Sequence, residues 1–531
     1  MIKRALISVS DKTGLIELGK ALKHFQVEII STGGTAAALR EANIETTSVS
    51  DYTGFPEMME GRLKTLHPRV HGALLGKRHD PQHEKDAMTY GIKWVDLVVV
   101  NLYPFEKVAT ETKKPAWSSL IENIDIGGPA MIRAAAKNHE YVTVVVQPKD
   151  YKDIIQRLKQ SPQNPFDLAY RYKLAMKAFR HTAIYDSSVA EHLSQYEIDE
   201  TKELQRKNFP LYHSIHGKLQ QDLRYGENPH QKAAVYRLTR PQEYFPVSQS
   251  LQGKELSFNN FLDADAGWRC LLELPPKSCV ILKHNNPCGA GWCETEEKSY
   301  VQAWKADSES AFGGIVAISG HIEGRLAERI VENFFEIICA ESFSVEAREI
   351  FQRKKNLRLM HLPKVGDLKD EQRPYFDFRK VTGAYLLQDT DYLGSFNDYV
   401  LGPDLRCVTE KNPSDEELRA LRMGWIIAKN LKSNAVVIAN GEQTLGIGCG
   451  DVNRKFATQS ALMRSANLES KLKVCGSDGF FPFPDSIELL KQAGVTAIIQ
   501  PGGSMRDQQV IDACNQSKIS MLFTGIRHFR H

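Results

Sequence analysis

The stretch from Ala5 to Thr35, ALISVSDKTGLIELGKALKHFQVEIISTGGT, decides the fold. Ala5 to Val9 is an apolar run of strand length. Asp11-Lys12-Thr13-Gly14 breaks it with turn residues. Leu15, Leu18, Leu22 and Phe25 then recur at helical spacing on one face. Val27 to Ile30 is a second apolar strand, and Ser31-Thr32-Gly33-Gly34-Thr35 leads into a helix over Ala36 to Glu41. Strands alternating with helices need crossover connections, and so form a parallel sheet with both faces covered. Val95 to Val100 and Tyr141 to Val146 continue the alternation. The first domain is therefore expected to be an α/β fold on a parallel sheet, spanning residues 1–147.

Lys149 to about Tyr196 has helical spacing, and residues 148–200 read as a helical connector. Residues 201–531 alternate again, through Val235, Val280, Ile315 to Ile318, Ala435 to Ala439 and Ala497 to Ile499. That length exceeds one compact α/β layer, so two α/β subdomains are expected. No sequence repeat is evident.

Composition excludes several classes. The chain has 531 residues, 42% hydrophobic and 25% charged, which is ordinary for a globular protein. A net charge of +3 gives no case for nucleic-acid binding by bulk electrostatics. No apolar run reaches the roughly 20 residues that span a bilayer, and the apolar stretch at the N-terminus is too short for a signal peptide. A cytoplasmic chain with no membrane association is expected. Its nine cysteines, none before Cys270 and none paired as Cys-x-x-Cys, suit buried thiols rather than a disulfide framework. Cys288 and Cys293 lack a second paired cluster, so no zinc site and no other metal ligand set is expected.

The glycine-rich junctions point to anions. Ser31-Thr32-Gly33-Gly34-Thr35 joins a strand to a helix, where free N–H groups and hydroxyls favour a phosphate. Ser10 and Lys12 lie at a neighbouring strand end. Asp125-Ile126-Gly127-Gly128-Pro129 repeats the logic, with Arg133 and Lys137 one turn apart on the following helix. Arg62-Leu63-Lys64-Thr65-Leu66-His67 adds cations, and Asn101-Leu102-Tyr103 ends a strand at the carboxyl edge, where open α/β sheets bind ligands.

Lys283-His284-Asn285-Asn286-Pro287-Cys288-Gly289 follows the apolar strand Cys279 to Leu282, which Pro287 and Gly289 are expected to stop. The Lys charge disfavours a second cation beside it, so the imidazole stays neutral and able to accept a proton. The Lys is also suited to stabilising an oxyanion. Further polar or aromatic turns are Leu223-Arg224-Tyr225-Gly226, Ser310-Ala311-Phe312-Gly313-Gly314, Asp478-Gly479-Phe480-Phe481-Pro482-Phe483 and Pro501-Gly502-Gly503-Ser504. The chain closes on the basic run Arg527-His528-Phe529-Arg530-His531.

Jointly these motifs resemble the bifunctional purine-biosynthesis family of aminoimidazole carboxamide ribonucleotide (AICAR) formyltransferase/inosine monophosphate (IMP) cyclohydrolase, over nearly the whole length. The resemblance implies a first domain like methylglyoxal synthase and a second built from two cytidine-deaminase-like units without zinc. It implies formyl transfer from 10-formyltetrahydrofolate to the 5-amino group of AICAR, then ring closure of formyl-AICAR to IMP. It also implies a homodimer and a monovalent cation near Asp478. In formyl transfer His284 matches the base, Lys283 its partner and Asn434 a substrate-orienting residue. Lys64, Tyr103, Asp125 and Lys137 match the cyclisation cluster, where a carboxylate near two lysines is expected to stay ionised. Substrate contacts implied are Ser10, Lys12, Ser31, Thr32, Gly33, Gly34, Thr35, Arg62, Thr65, Asn101, Gly127 and Gly128 in the first domain. In the second they are Arg224, Tyr225, Gly313, Glu336, Phe481, Pro501 and Arg527, with Glu336 facing the folate.

Two other readings compete. A nucleotide-binding regulator would carry glycine loops without dense Lys, His, Asp and Tyr positions. A zinc deaminase would need His-x-Glu followed by Pro-Cys-x-x-Cys, and that combined pattern is absent.

Overall fold

The computed structural model describes residues 2–111, 117–198, 204–238, 250–363, 376–392, 401–402 and 404–531. The chain divides into two compact units, Met1–His216 and Gly217–His531. The expected break between residues 200 and 201 lies outside the described residues.

The first unit is built on five parallel strands: β1 (Arg4–Val9), β2 (Glu28–Ser31), β3 (Thr47–Ser48), β4 (Leu97–Asn101) and β5 (Thr143–Val145). Their order is β3-β2-β1-β4-β5. The chain leaves β1 towards β2 on one side and returns as β4 on the other. The carboxyl ends of β1 and β4 therefore flank the crevice where the winding reverses, the usual ligand position in open α/β sheets. Helices α1 (Leu15–His24), α2 (Gly33–Glu41), α3 (Pro68–Leu75) and α4 (Gly127–Lys137) flank the sheet. The helical stretch after residue 147 forms α5 (Tyr151–Gln160) and α6 (Leu168–Leu193). Tyr151, Ile154 and Leu158 join one core with Ile7 and Leu18, while Ala175 and Ala178 join the other with Val98 and Ile132.

The second unit contains two sheets with the same plan. In the first, helix α7 (Phe258–Glu273) precedes a hairpin of β6 (Cys279–Lys283) and β7 (Asn286–Gly291), followed by α8 (Glu296–Ala306). Strand β8 (Ile315–Ile322) pairs antiparallel with β6; α9 (Gly324–Val331), β9 (Ile337–Phe343), α10 (Val345–Gln352) and β10 (Arg358–His361) follow, all three strands parallel. In the second, α11 (Asp415–Lys429) precedes the hairpin of β11 (Val436–Ala439) and β12 (Thr444–Gly448), then α12 (Arg454–Ser465). Strand β13 (Val474–Ser477) pairs antiparallel with β11, and α13 (Asp485–Gln492), β14 (Ala497–Gln500), α14 (Asp507–Gln516) and β15 (Ser520–Phe523) complete the unit. One core runs between the two sheets, holding Trp268, Leu282 and Ala317 with Trp425, Val437 and Ile499.

The duplication reaches single residues. Gly289 and Gly291 in β7 face the backbone of α8, where an added Cβ would come within 2.0 Å of Ala303 O and 2.2 Å of Ser299 O. Gly446 and Gly448 in β12 face α12 in the same way, at 2.1 Å from Ala461 O and 2.0 Å from Ala457 O. Only glycine lets a strand lie this close to a helix backbone.

One expectation is overturned. Pro287 and Gly289 do not stop the strand that carries Lys283; they lie within β7, which pairs antiparallel with β6. The reversal comes earlier, at His284 and Asn285, with φ of 56° and 62°. Two consecutive left-handed residues form the tight turn whose twist matches antiparallel strands. Asparagine tolerates this conformation readily and histidine less so, and such strain persists where the surroundings enforce it.

Candidate active sites

In the first unit the crevice between β1 and β4 is closed by polar ties. Ser10 Oγ donates to Asn101 Oδ1 at 2.9 Å and to Leu102 O at 2.6 Å, and Asp11 N–H donates to Asn101 Oδ1 at 2.8 Å. The Ser31–Thr35 run splits into two roles. Ser31 is buried and donates to Ile7 O, and Thr35 bonds to both backbone atoms of Val9, so these two hold the loop against β1. Thr32 Oγ1 meets Ser8 Oγ at 2.8 Å. Gly33 and Gly34 open α2, whose N-terminus no side chain caps. Space beside Gly33 is open, and Lys12 Nζ lies 3.9 Å from the Cβ position of Gly34. Free amides, a helix dipole and one cation converge there, as an anion requires.

The second glycine pair differs from its expected role. The Asp125 carboxylate accepts from Gly128 N–H at 2.7 Å, so it fills the start of α4 itself. Tyr103 N–H also donates to this carboxylate, and Lys64 acts on it through its charge. Thr65 abuts Gly127, where an added Cβ would come 2.5 Å from its Oγ1. Lys64, Thr65, Tyr103, Asp125 and Gly127 thus gather at one place. Burial pushes the Asp125 carboxyl above its ordinary range, and the two amide donors and Lys64 only partly offset this. Of the two lysines expected beside the carboxylate, Lys64 acts on it through its charge, while burial opposes the ionised form. Lys137 is the last residue of α4, about 15 Å along the helix axis from Gly127. It is exposed there, and this chain alone does not bring it to Asp125. Arg62 pairs with Glu122, with both side chains exposed. One participant gave no local signal: Tyr185, deep in α6, accepts from Asp125 N–H at 2.7 Å and donates to Asn123 O at 3.1 Å.

In the second unit the His284–Asn285 turn is clamped from several sides. Asn285 N–H donates to Asp263 Oδ1 at 2.6 Å, Asn286 Oδ1 accepts from Lys432 N–H at 3.0 Å, and Asn286 Nδ2 reaches His284 O at 3.0 Å. Lys283 Nζ donates to Phe312 O at 2.9 Å, next to Gly313, whose own N–H is held by Phe334 O. His284 is left exposed at the tip. Asp263, one helical turn into α7, sits beneath it: burial raises its carboxyl, Asn285 N–H and the His284 charge lower it, and Glu336 raises it further.

Glu336 accepts from Asn260 Nδ2 at 3.1 Å and lies 3.8 Å from Arg358. Arg358 is nearly buried, donates to Lys254 O and Glu255 O, and feels the charges of Arg224 and Tyr225. Arg224 Nη2 in turn donates to Tyr225 Oη at 3.0 Å. Arg224, Tyr225 and Glu336 therefore converge on Arg358, a residue the sequence reading did not single out.

A cavity of about 560 Å³ opens beside Asn434, lined among others by Arg454, Lys455, Phe480, Phe483 and Phe529. Asn434 Oδ1 accepts from Arg454 Nη2 at 2.7 Å, and Arg454 also reaches Ser477 and Asp478. Lys432, bonded to the hairpin tip, is two residues from Asn434, so this corner adjoins the His284 turn. Arg527 stacks on Phe529 at 4.6 Å. Two expectations are corrected. Phe481 is 0% exposed and packs in the core, so the aromatic wall is Phe480 and Phe483 on either side of it. Pro501 is buried, and its carbonyl accepts from Gly525 N–H instead of facing the cavity.

The carboxylate of Asp478 does not fit a cation site. It is fully buried and accepts from Arg454, Ser433 Oγ and Ala435 N–H. Among the described residues no group of three or more His, Cys, Asp or Glu is placed to hold a metal, and no helix is long and apolar enough to cross a membrane.

The sequence matches known proteins along its whole length. Residues 135–464 match the model of the AICARFT/IMPCHase bienzyme family, and residues 14–130 match the MGS-like domain. The bifunctional purine biosynthesis protein PurH of Persephonella marina is 45% identical over 100% of both chains. PurH of Paracoccus denitrificans is 45% identical over 100% of this chain and 99% of its own. A solved structure, the crystal structure of ForH, is 36% identical over 36% of this chain and 100% of its own, with a TM-score of 0.33. The chain belongs to the AICARFT/IMPCHase family, the bifunctional AICAR formyltransferase and IMP cyclohydrolase enzymes of purine biosynthesis.

Proposed function

We propose that the two reactions divide between the two units, with formyl transfer at the His284 turn and ring closure at the Asp125 cluster. The observation that carries this reading is the clamped turn, which holds an exposed imidazole between Lys283 and Asp263. The 5-amino group of AICAR is delocalised into its ring, so it is a weak nucleophile. His284 takes its proton as the nitrogen attacks the formyl carbon of 10-formyltetrahydrofolate. Lys283 stabilises the oxyanion. The carbon–N10 bond then breaks, and the proton passes to N10 of the departing tetrahydrofolate. Asn434 and Arg454 orient the carboxamide, Arg224 and Tyr225 hold the nucleotide, and Glu336 faces the folate.

In ring closure the carboxamide nitrogen attacks the new formyl carbon and water leaves. Asp125 accepts the amide proton, while Lys64 and Tyr103 face the developing oxyanion. The phosphate sits at Gly33–Gly34 beside Lys12. Homodimerisation, with formyl-transfer sites between subunits, belongs to the same proposal.

The test is an assay of the purified chain with AICAR and 10-formyltetrahydrofolate, following tetrahydrofolate and IMP. His284→Ala should lose formyl transfer by roughly 10²–10⁴-fold and keep cyclisation of supplied formyl-AICAR. Loss of both activities in a folded variant would refute the division.

A further inference from the structure

Helix α6 lies in the stretch expected to be a connector, yet one of its faces is built into the first unit. Ala175, Ala178, Thr182 and Tyr185 recur every three or four residues along it. The first three are buried, and their small side chains let α6 lie close to the core that holds Val98 and Ile132. Tyr185 is the large residue at the end of this face. Its ring packs edge-on against the buried ring of Phe105, with centroids 6.5 Å apart, which sets it against the Tyr103–Phe105 loop. Its hydroxyl reaches the neighbouring loop, where it accepts from Asp125 N–H at 2.7 Å and donates to Asn123 O at 3.1 Å.

One phenol thus spans both loops of the cluster. Asn123 follows the short helix Trp117–Glu122, where carbonyls lack a partner within the helix, and the hydroxyl supplies one. The Asp125 carboxylate is aimed by Gly128 N–H and Tyr103 N–H, and Tyr185 fixes the backbone from which that carboxylate extends. An amide left without its acceptor is costly, so this loop must shift if the hydroxyl is lost. Burial is the main cause that pushes the phenol up to about 12, with the charges of Asp125 and Asp186 adding to it against the Asp125 N–H bond. It therefore stays a neutral hydroxyl at working pH, keeps both bonds and gives up no proton to the reaction.

We propose that Tyr185 is a positioning residue for ring closure, holding the backbone of Asp125 so that its carboxylate meets the carboxamide nitrogen of formyl-AICAR. The inference rests on the ring-closure reading of Asp125 above. It is tested on the full chain with supplied formyl-AICAR. Tyr185→Phe keeps the ring against Phe105 and removes only the hydroxyl. Its kcat for ring closure should fall roughly 10–100-fold, the scale of a reacting group misplaced by about 1 Å, with KM within about twofold of the wild type. Asp125→Asn/Tyr185→Phe should be little slower than Asp125→Asn alone, since the hydroxyl then has no carboxylate to position. Phe179→Ala removes from the same helix a side chain that packs on Arg133, away from both loops, and should keep kcat. An unchanged kcat in Tyr185→Phe, a loss carried by KM instead, losses that multiply in the double variant, or an equal loss in Phe179→Ala would overturn the inference. Ring closure by Asp125→Asn at the wild-type rate would instead sink the reading of Asp125 on which it rests.

Discussion

At the residue scale the cyclisation site turns on Asp125. Its carboxyl is raised chiefly by burial, against the opposing pull of Gly128 N–H, Tyr103 N–H and Lys64. A carboxyl raised in the folded state binds protons more tightly there than in the unfolded chain. Its contribution to stability is therefore full below the ordinary value of 3.8 and is lost as pH rises through the folded value. Above that, the ionised group is a burden that the proposed role in proton transfer justifies. Asp125→Asn keeps an oxygen to cap Gly128 and removes the buried charge. We expect its Tm to exceed the wild type's at neutral pH and to converge with it in acid. Cyclisation should fall by roughly 10²-fold or more. The acid limb of wild-type cyclisation should lie above 3.8; a limb at or below that value would show that burial does not raise the carboxyl in the working enzyme.

At the element scale the close glycine contacts are the most exposed to test. An alanine at position 446 would place its Cβ 2.1 Å from Ala461 O, a backbone atom that cannot swing away. The strand and α12 must then separate, and overpacking of this kind costs about 1–3 kcal/mol. Urea denaturation of Gly446→Ala should show that loss, with Gly441→Ala, whose Cβ meets nothing, as the matched control. These glycines also show how far the elements were legible. The strands and helices of the first unit follow the apolar periodicity to within a few residues, because each buries a continuous run or stripe. The repeat in the second unit leaves little trace in the sequence. Its halves share little beyond Gly267-Trp268 with Gly424-Trp425, and Gly-x-Gly at 289–291 with 446–448. Those are the positions where backbone packing leaves no choice of side chain. The sequence reads as a strand ending at Pro287 rather than a hairpin turn at His284, since local propensity gives no hint of two left-handed residues in a turn held by Asp263 and Lys432. Of the site, the residues on loops after strands were readable. Tyr185 and Arg358 were not, because each reaches the site from an element distant in sequence, and Asp263 was not, because it reads equally well as a helix residue with no part in the turn. Phe481 was misplaced because an aromatic loop does not reveal which of its rings turns inward.

At the scale of the whole molecule, the two reactions are chemically sequential but draw on separate residues. Every group proposed for formyl transfer lies within Gly217–His531, and every group proposed for cyclisation lies within Met1–His216. Neither set supplies a base or an oxyanion partner to the other, so a defect in one should leave the other's turnover intact. This makes complementation a decisive measurement. His284→Ala should release no formyl-AICAR from AICAR and folate, yet close the ring of supplied formyl-AICAR. Lys64→Ala should accumulate formyl-AICAR, since the carboxylate of Asp125 loses its one nearby cation among the groups acting on it. Mixed in one vessel, the two variants should together convert AICAR to IMP, with a lag set by the concentration of free formyl-AICAR. Production without a lag would mean that the intermediate passes directly between sites. If the mixture made no IMP while each variant kept its single activity, the intermediate could not leave the unit that forms it, and both sites would have to act within one molecule.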